Sequence, residues 1–165
     1  MKIAVILAAY NGEKYIKEQI ESILNQNDVS VDIMVFDDAS TDSTTTIVEN
    51  FIDSRIKLIQ NAIGTGSAAN NFFKAIKELP DEIFLKYDYI SLSDQDDIWL
   101  PNKLKEATET LFKNGCSLYG SNLILWDEKS NSESIINRSH PQKRYDYLFE
   151  SGSAGCTYVF TTALT

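Results

Sequence analysis

The chain alternates short apolar runs with amphipathic stretches. Ile3 to Leu7 is a β-rich run without polar alternation, the pattern of a strand covered on both faces. After a turn at Asn11-Gly12, Ile16, Ile20, Ile23 and Leu24 recur on one helical face. "VDIMVFDD" repeats the strand pattern. In "STDSTTTIVENFI", Ile47, Val48, Phe51 and Ile52 make a second helical stripe, and Ser40 to Ser43 offer N-cap oxygens. "IKLIQN" predicts a third strand, "SAANNFFKAIKEL" a third helix and "YISLSD" a fourth strand. Pro101 stands near the start of a fourth helix, with Leu104, Ala107 and Leu111 on one face. "CSLYGSNLILWD" predicts a fifth strand, or a strand pair broken at Gly120. The polar stretch after Trp126 predicts a long mobile loop or a lid.

Strand and helix thus alternate four times, which defines an α/β domain on a mainly parallel sheet flanked by helices. Ligands of such sheets bind beyond the carboxyl ends of the strands. "AAYN", "DDAS" and "SDQDD" stand at three of those ends.

Composition narrows the choice of partner. At 165 residues the chain has room for one domain. A net charge of -9 argues against nucleic acid or an anionic membrane as the main partner, since both select basic patches. His140 is the only histidine, so a multi-histidine metal site is excluded. Cys116 and Cys156 lie far apart in sequence and read as free thiols of a reducing compartment. The opening "MKIAVILAAYNG" runs into a helical pattern without a clear cleavage site, so it reads as a strand rather than a signal peptide. No apolar stretch approaches the roughly 20 residues that cross a bilayer. The expectation is a cytoplasmic protein, with peripheral attachment to the inner face of the membrane left open.

Candidate chemistry concentrates in acids. Asp94, Asp96 and Asp97 crowd like charges directly after an apolar run. A hard cation such as Mg²⁺ or Mn²⁺, which takes one or two carboxylates plus substrate phosphates, would make them compatible. The competing reading is a solvated turn whose acids favour the start of the next helix. If the strand continued extended, Asp94 and Asp96 would share a side and Asp97 would project differently. In "VFDDAS", an acid could accept from a ribose or base, or Asp38 or Ser40 could cap the next helix. Tyr10 is either core edge or a ring for stacking on a base. "GTGSAA" (64–69) matches a dinucleotide fingerprint, but in the third strand–helix unit rather than the first, and reads as a chance match. Trp99 reads as packing before it reads as a sugar-site wall. "GSAGC" lets backbone approach a ligand or simply turns the chain, and His140 reads as exposed. Glu13, Glu18, Glu21, Glu106 and Glu109 read as solubilising surface acids.

Taken in order and spacing, "VILAAYNGEKYIKEQIESILNQ", "VFDDASTDST", "NAIGTGSAANNF" and "SLSDQDDIWLPNKL" resemble the donor-binding half of the family 2 glycosyltransferases. "SDQDDIWLPNKL" is similar to the rhamnosyltransferases of that family. The likeness covers residues 1–115; "SGSAGCTYVF", within 116–165, resembles the start of the acceptor half. It implies a GT-A-type nucleotide-binding domain, Mn²⁺ or Mg²⁺ as cofactor, and a dTDP-, UDP- or GDP-linked sugar as donor. It also implies transfer to a saccharide or lipid-linked acceptor with inversion, in bacterial surface polysaccharide synthesis. By the same resemblance, Tyr10 lies beside the base and Asp38 holds it. Asp94 and Asp96 match a D-x-D motif, with Asp96 near the ribose and Asp97 on the metal. Ala8 stands where many members have Thr or Pro, and Asn70 near a position that is commonly Arg. The general base of the family falls in a later motif, expected beyond Thr165, so no catalytic residue is assigned. A nucleotidyltransferase and a non-catalytic nucleotide-sugar-binding module are the alternative readings.

Overall fold

The computed structural model describes residues 1–127, 129–137 and 154–164. Its main sheet has the order β3-β2-β1-β4-β8-β5. The strands are β1 (Lys2–Ala9), β2 (Ser30–Asp37), β3 (Ile56–Gln60), β4 (Tyr89–Ser93), β5 (Leu118–Tyr119) and β8 (Val159–Thr161). β1, β2, β3 and β4 run parallel, and the far edge is antiparallel, β8 against both β4 and β5. The helices are α1 (Ile16–Leu24), α2 (Thr44–Glu49), α3 (Ala68–Glu78), α4 (Asp81–Lys86) and α5 (Lys103–Asn114).

Continuous apolar strands require cover on two faces, and they receive it. Ile3, Val5 and Leu7 of β1 point into one core with Ile16, Ile20 and Ile23 of α1, Val48 of α2, and Leu104, Ala107 and Leu111 of α5. Ala4, Ile6 and Ala8 point into the other, against Phe72, Ala75 and Leu79 beyond β2 and along α3. Period-2 alternation in the strand thus feeds two cores, and the helical stripes supply the opposite walls.

Several expectations change. α2 ends at Glu49, and Ile52 is fully exposed instead of completing a stripe; Phe51 alone folds back to the core edge. Within Ser40 to Ser43 the oxygen that meets the start of α2 is that of Asp42, whose Oδ1 accepts from the Thr44 N–H at 3.0 Å; Ser43 makes no side-chain cap bond, and its N–H donates to Glu13 Oε2 at 3.0 Å. Glu13 is therefore a capping residue as well as a surface acid. α4 carries no sequence signal of its own, being six residues behind Pro80. The chain does break at Gly120, but its two parts go to different sheets. β5 joins the main sheet, whereas β6 (Leu123–Asp127) pairs with β7 (Ser132–Ile136) in a separate hairpin. The start of the polar stretch after Trp126 is thus a strand and not a loop. The rest of the predicted lid, with His140, lies outside the described residues.

Candidate functional site

Strand order reverses around β1: β2 and β3 lie to one side of it and β4 to the other. That reversal opens a crevice at the carboxyl ends of β1 and β4, the place where open α/β sheets bind ligands. Two loops flank it. One follows β1 and carries Tyr10, a residue 57% exposed. The other follows β4 and carries Asp94, Asp96 and Asp97.

Gln95 joins the two loops. Its Oε1 accepts from the Tyr10 N–H at 2.8 Å and its Nε2 donates to the Tyr10 carbonyl at 2.9 Å, so the amide acts as one more ladder rung. A Cβ on Gly12 would overlap the Gln95 carboxamide. Gln95→Ala is expected to cost about 1–2 kcal/mol, two modest hydrogen bonds. Gly12→Ala should cost a similar amount by displacing the same amide, and the double variant should be no less stable than the worse single one. Urea denaturation of all three checks this; additive losses would show that the two positions act separately.

The acidic loop does not stay extended. β4 ends at Ser93 and the chain bends at Gln95 and Asp96, which brings Asp97 back toward Asp94. Donor atoms of Asp94, Asp97 and Cys156 all lie within 4.8 Å of one another. This corrects the expected pairing of Asp94 with Asp96: the side chain of Asp96 is exposed and outside that group, and it acts on both neighbours only through its charge. Burial, and then the charge of Asp97, lifts the Asp94 carboxyl above its ordinary range. Burial lifts Asp97 likewise, with Asp96 adding to it and Lys103 and the Cys156 thiol opposing. Lys103 lies over the Trp99 ring at 4.3 Å, and burial lowers its amine to about 8. Trp99 itself is buried in the core, so its role here is packing.

Two acids and a thiol gathered at one point suit a divalent cation, which would relieve the repulsion between the carboxylates and accept both donor types.

Gln19 braces this loop from α1. It is fully buried. With its oxygen accepting from Ser93 Oγ (2.6 Å) and Trp99 Nε1 (3.1 Å), its nitrogen donates to Ser22 Oγ (3.1 Å) and to the Asp97 carbonyl.

On the other side of β1, Asp38 is buried and bonded to its own chain. The Thr65 N–H donates to both carboxylate oxygens (2.8 and 2.9 Å), the Thr65 hydroxyl to Oδ2 (2.9 Å) and Asn61 Nδ2 to Oδ1 (2.9 Å). Burial raises the Asp38 carboxyl, but these bonds outweigh it and hold it below the usual range. Asp38 caps no helix. The glycine-rich loop wraps it, with Gly66 at φ +85, and Ser67 accepts from the Asn70 N–H to start α3. Asn70 is exposed and donates to the Thr65 carbonyl at 3.1 Å, while Ala8 is buried under the rim. Cys156 was read from sequence only as a free thiol ending the "GSAGC" turn, and Gln95, Gln19 and Thr65 were not singled out. Gln19 could have been, because it falls on the buried face between Ile16 and Ile23.

A mainly parallel sheet of this order, flanked by helices and with half-buried acids at its switch point, is an α/β fold of the GT-A type. The chain belongs to glycosyl transferase family 2, whose profile matches residues 4–163. It is 40% identical over 156 residues to the dTDP-rhamnosyl transferase RfbG of Shigella flexneri, covering 93% of this chain and 53% of that protein. The fold superposes on S. aureus TarS 1-349 with a TM-score of 0.70 at 24% identity, over 99% of this chain and 48% of that one. It also superposes on the Pyrobaculum calidifontis mannosyltransferase PcManGT in complex with GDP-Man and Mn²⁺. There the TM-score is 0.66 at 17% identity, over 96% of this chain and 44% of that one. The chain therefore spans about half the length of these relatives. Among the described residues, no helix is long and apolar enough to cross a membrane.

Proposed function

We propose that this chain is the donor-binding part of a cation-dependent sugar transferase. Residues 1–115 hold a nucleoside-diphosphate sugar, and residues 116–165 begin the part that faces the acceptor. The carrying observation is the convergence of Asp94 and Asp97 across the crevice from the exposed Tyr10, with Gln95 fixing one loop to the other. Mn²⁺ or Mg²⁺ is the cation, held by Asp94 and Asp97. When bound there it supplies charge stabilisation to a departing diphosphate.

The side chains divide the remaining work. Tyr10 offers a flat face to the base. Asp38 accepts a base N–H; its lone pairs are already engaged by Thr65 and Asn61, so the base shares them with the Thr65 loop. Asp96, exposed on the loop, meets the ribose hydroxyls. Ala8 forms the floor beside the nucleotide and Asn70 the far wall. The reaction in this reading is displacement with inversion at the anomeric carbon, onto a saccharide or lipid-linked hydroxyl. The setting is bacterial surface polysaccharide synthesis at the inner face of the membrane, and a dTDP-linked sugar such as rhamnose is the first donor to test, on the strength of the likeness to RfbG.

Calorimetric titration with dTDP, UDP and GDP, in Mn²⁺ and then in EDTA, tests the reading. One nucleotide should bind in Mn²⁺ and lose its affinity in EDTA. A folded protein that binds none of the three would sink the donor-site assignment.

A further inference from the structure

β8 pairs antiparallel with β4, Ser91 opposite Val159, and the Leu92 N–H donates to the Tyr158 carbonyl at 3.0 Å. That register lays the preceding turn, Gly155–Thr157, along the carboxyl end of β4. Cys156 is carried in from the distant end of the sequence and is 5% exposed, with its sulfur turned toward Asp94 and Asp97. Among the described residues neither carboxylate is in an ion pair. The thiol is the third donor of the group.

We infer that Cys156 Sγ is a direct ligand of the cation beside Asp94 and Asp97, so that the site has a mixed oxygen–sulfur donor set and discriminates in favour of thiophilic ions over Mg²⁺. The inference rests on the donor-site reading above and adds a ligand to it. Without a cation, the buried thiol faces the two carboxylates. On binding, the S–H bond breaks, sulfur donates its electron pair to the ion and one proton leaves to solvent. The ligand set then carries three negative charges around a doubly positive ion, and Lys103, which donates weakly to the Cys156 carbonyl at 3.5 Å, lies close enough to offset the surplus. Oxygen-only sites suit Mg²⁺ and Mn²⁺, whereas thiolate shifts preference toward Zn²⁺, Co²⁺ and Cd²⁺.

The test is a Cd²⁺ titration of the Cys116→Ser protein, which removes the exposed thiol, followed by ultraviolet absorbance with and without dTDP, UDP or GDP. A thiolate-to-cadmium band should saturate at about one equivalent per chain, with about one proton released per ion. Cys156→Ser and Cys156→Ala in the same background should lose the band. They should bind Cd²⁺ at least about tenfold more weakly while Mg²⁺ affinity stays within about threefold. Circular dichroism confirms that the variants are folded, and either variant alone suffices. Binding of Cd²⁺ or Mn²⁺ that depends on Asp97 but gives no band would make the thiol a bystander, overturning this inference while leaving the donor site intact. Failure of the folded protein to bind any cation, with or without nucleotide, would overturn both.

Discussion

Asp97→Ala is expected to abolish cation-dependent nucleotide binding and, at the same time, to raise the melting temperature of the cation-free protein. The two effects have one cause. Asp97 lies half-buried beside Asp94, and burial and neighbouring acids lift both carboxyls. A carboxyl whose pKa is higher folded than unfolded destabilises the fold once ionised. The cost is absent below the unfolded value near 3.8, grows as pH rises through the folded value, and is complete above it. Removing Asp97 removes its own share and relieves Asp94, so the apo variant should melt higher at neutral pH, with the difference vanishing on acidification below about 4. With Mn²⁺ and nucleotide present the order reverses. The wild type gains ligand-linked stability and the variant does not, because loss of one partner of a partly buried charge pair costs about 3 kcal/mol, roughly 150-fold in affinity. Thermal melts of both proteins at neutral and acidic pH, with and without Mn²⁺ and the bound nucleotide, separate the two effects. An apo variant that melts lower would show that Asp97 serves packing and not a cation.

How much of this could be read from sequence follows from which forces act locally. Strands buried on both faces declare themselves by unbroken apolar runs, so β1, β2 and β4 and the helices α1, α3 and α5 were legible. Acids at strand ends are visible because their position is itself local. The geometry beyond Ser93 was not. Extrapolating strand alternation pairs Asp94 with Asp96, but the strand stops, a bend takes over, and residues three apart meet instead. Cys156 was invisible as a site residue because its place depends on antiparallel pairing between β4 and β8, a contact between distant segments. β7 escaped because it pairs only with β6 and remains largely exposed, so its composition reads as polar loop.

Gln19→Leu should be the most destabilising single change at the site that leaves every charge in place. The side chain replaces like with like in volume, so little packing is lost, yet it removes four hydrogen-bond partners at once. The Trp99 indole N–H and the Asp97 carbonyl would then stay buried beside an apolar group. Ser93 has an alternative, since its hydroxyl reaches the Asp94 carbonyl at 2.9 Å. Two orphaned polar groups, each costing about 1–3 kcal/mol, predict a loss of about 3 kcal/mol in unfolding free energy. Gln19→Glu separates acceptance from donation. It keeps oxygens for Ser93 and Trp99 but cannot donate to the Asp97 carbonyl, and it adds a charge beside a loop already crowded with them. Because a bound cation relieves that added repulsion, Gln19→Glu should keep more cation affinity than Gln19→Leu does, even if the fold tolerates the two equally. Urea denaturation gives the stability change, and Mn²⁺ titration of both variants gives the second. A loss below about 1 kcal/mol for the leucine variant would mean that Ser22 and Ser93 repair the network unaided, and that the acidic loop holds its bend without α1.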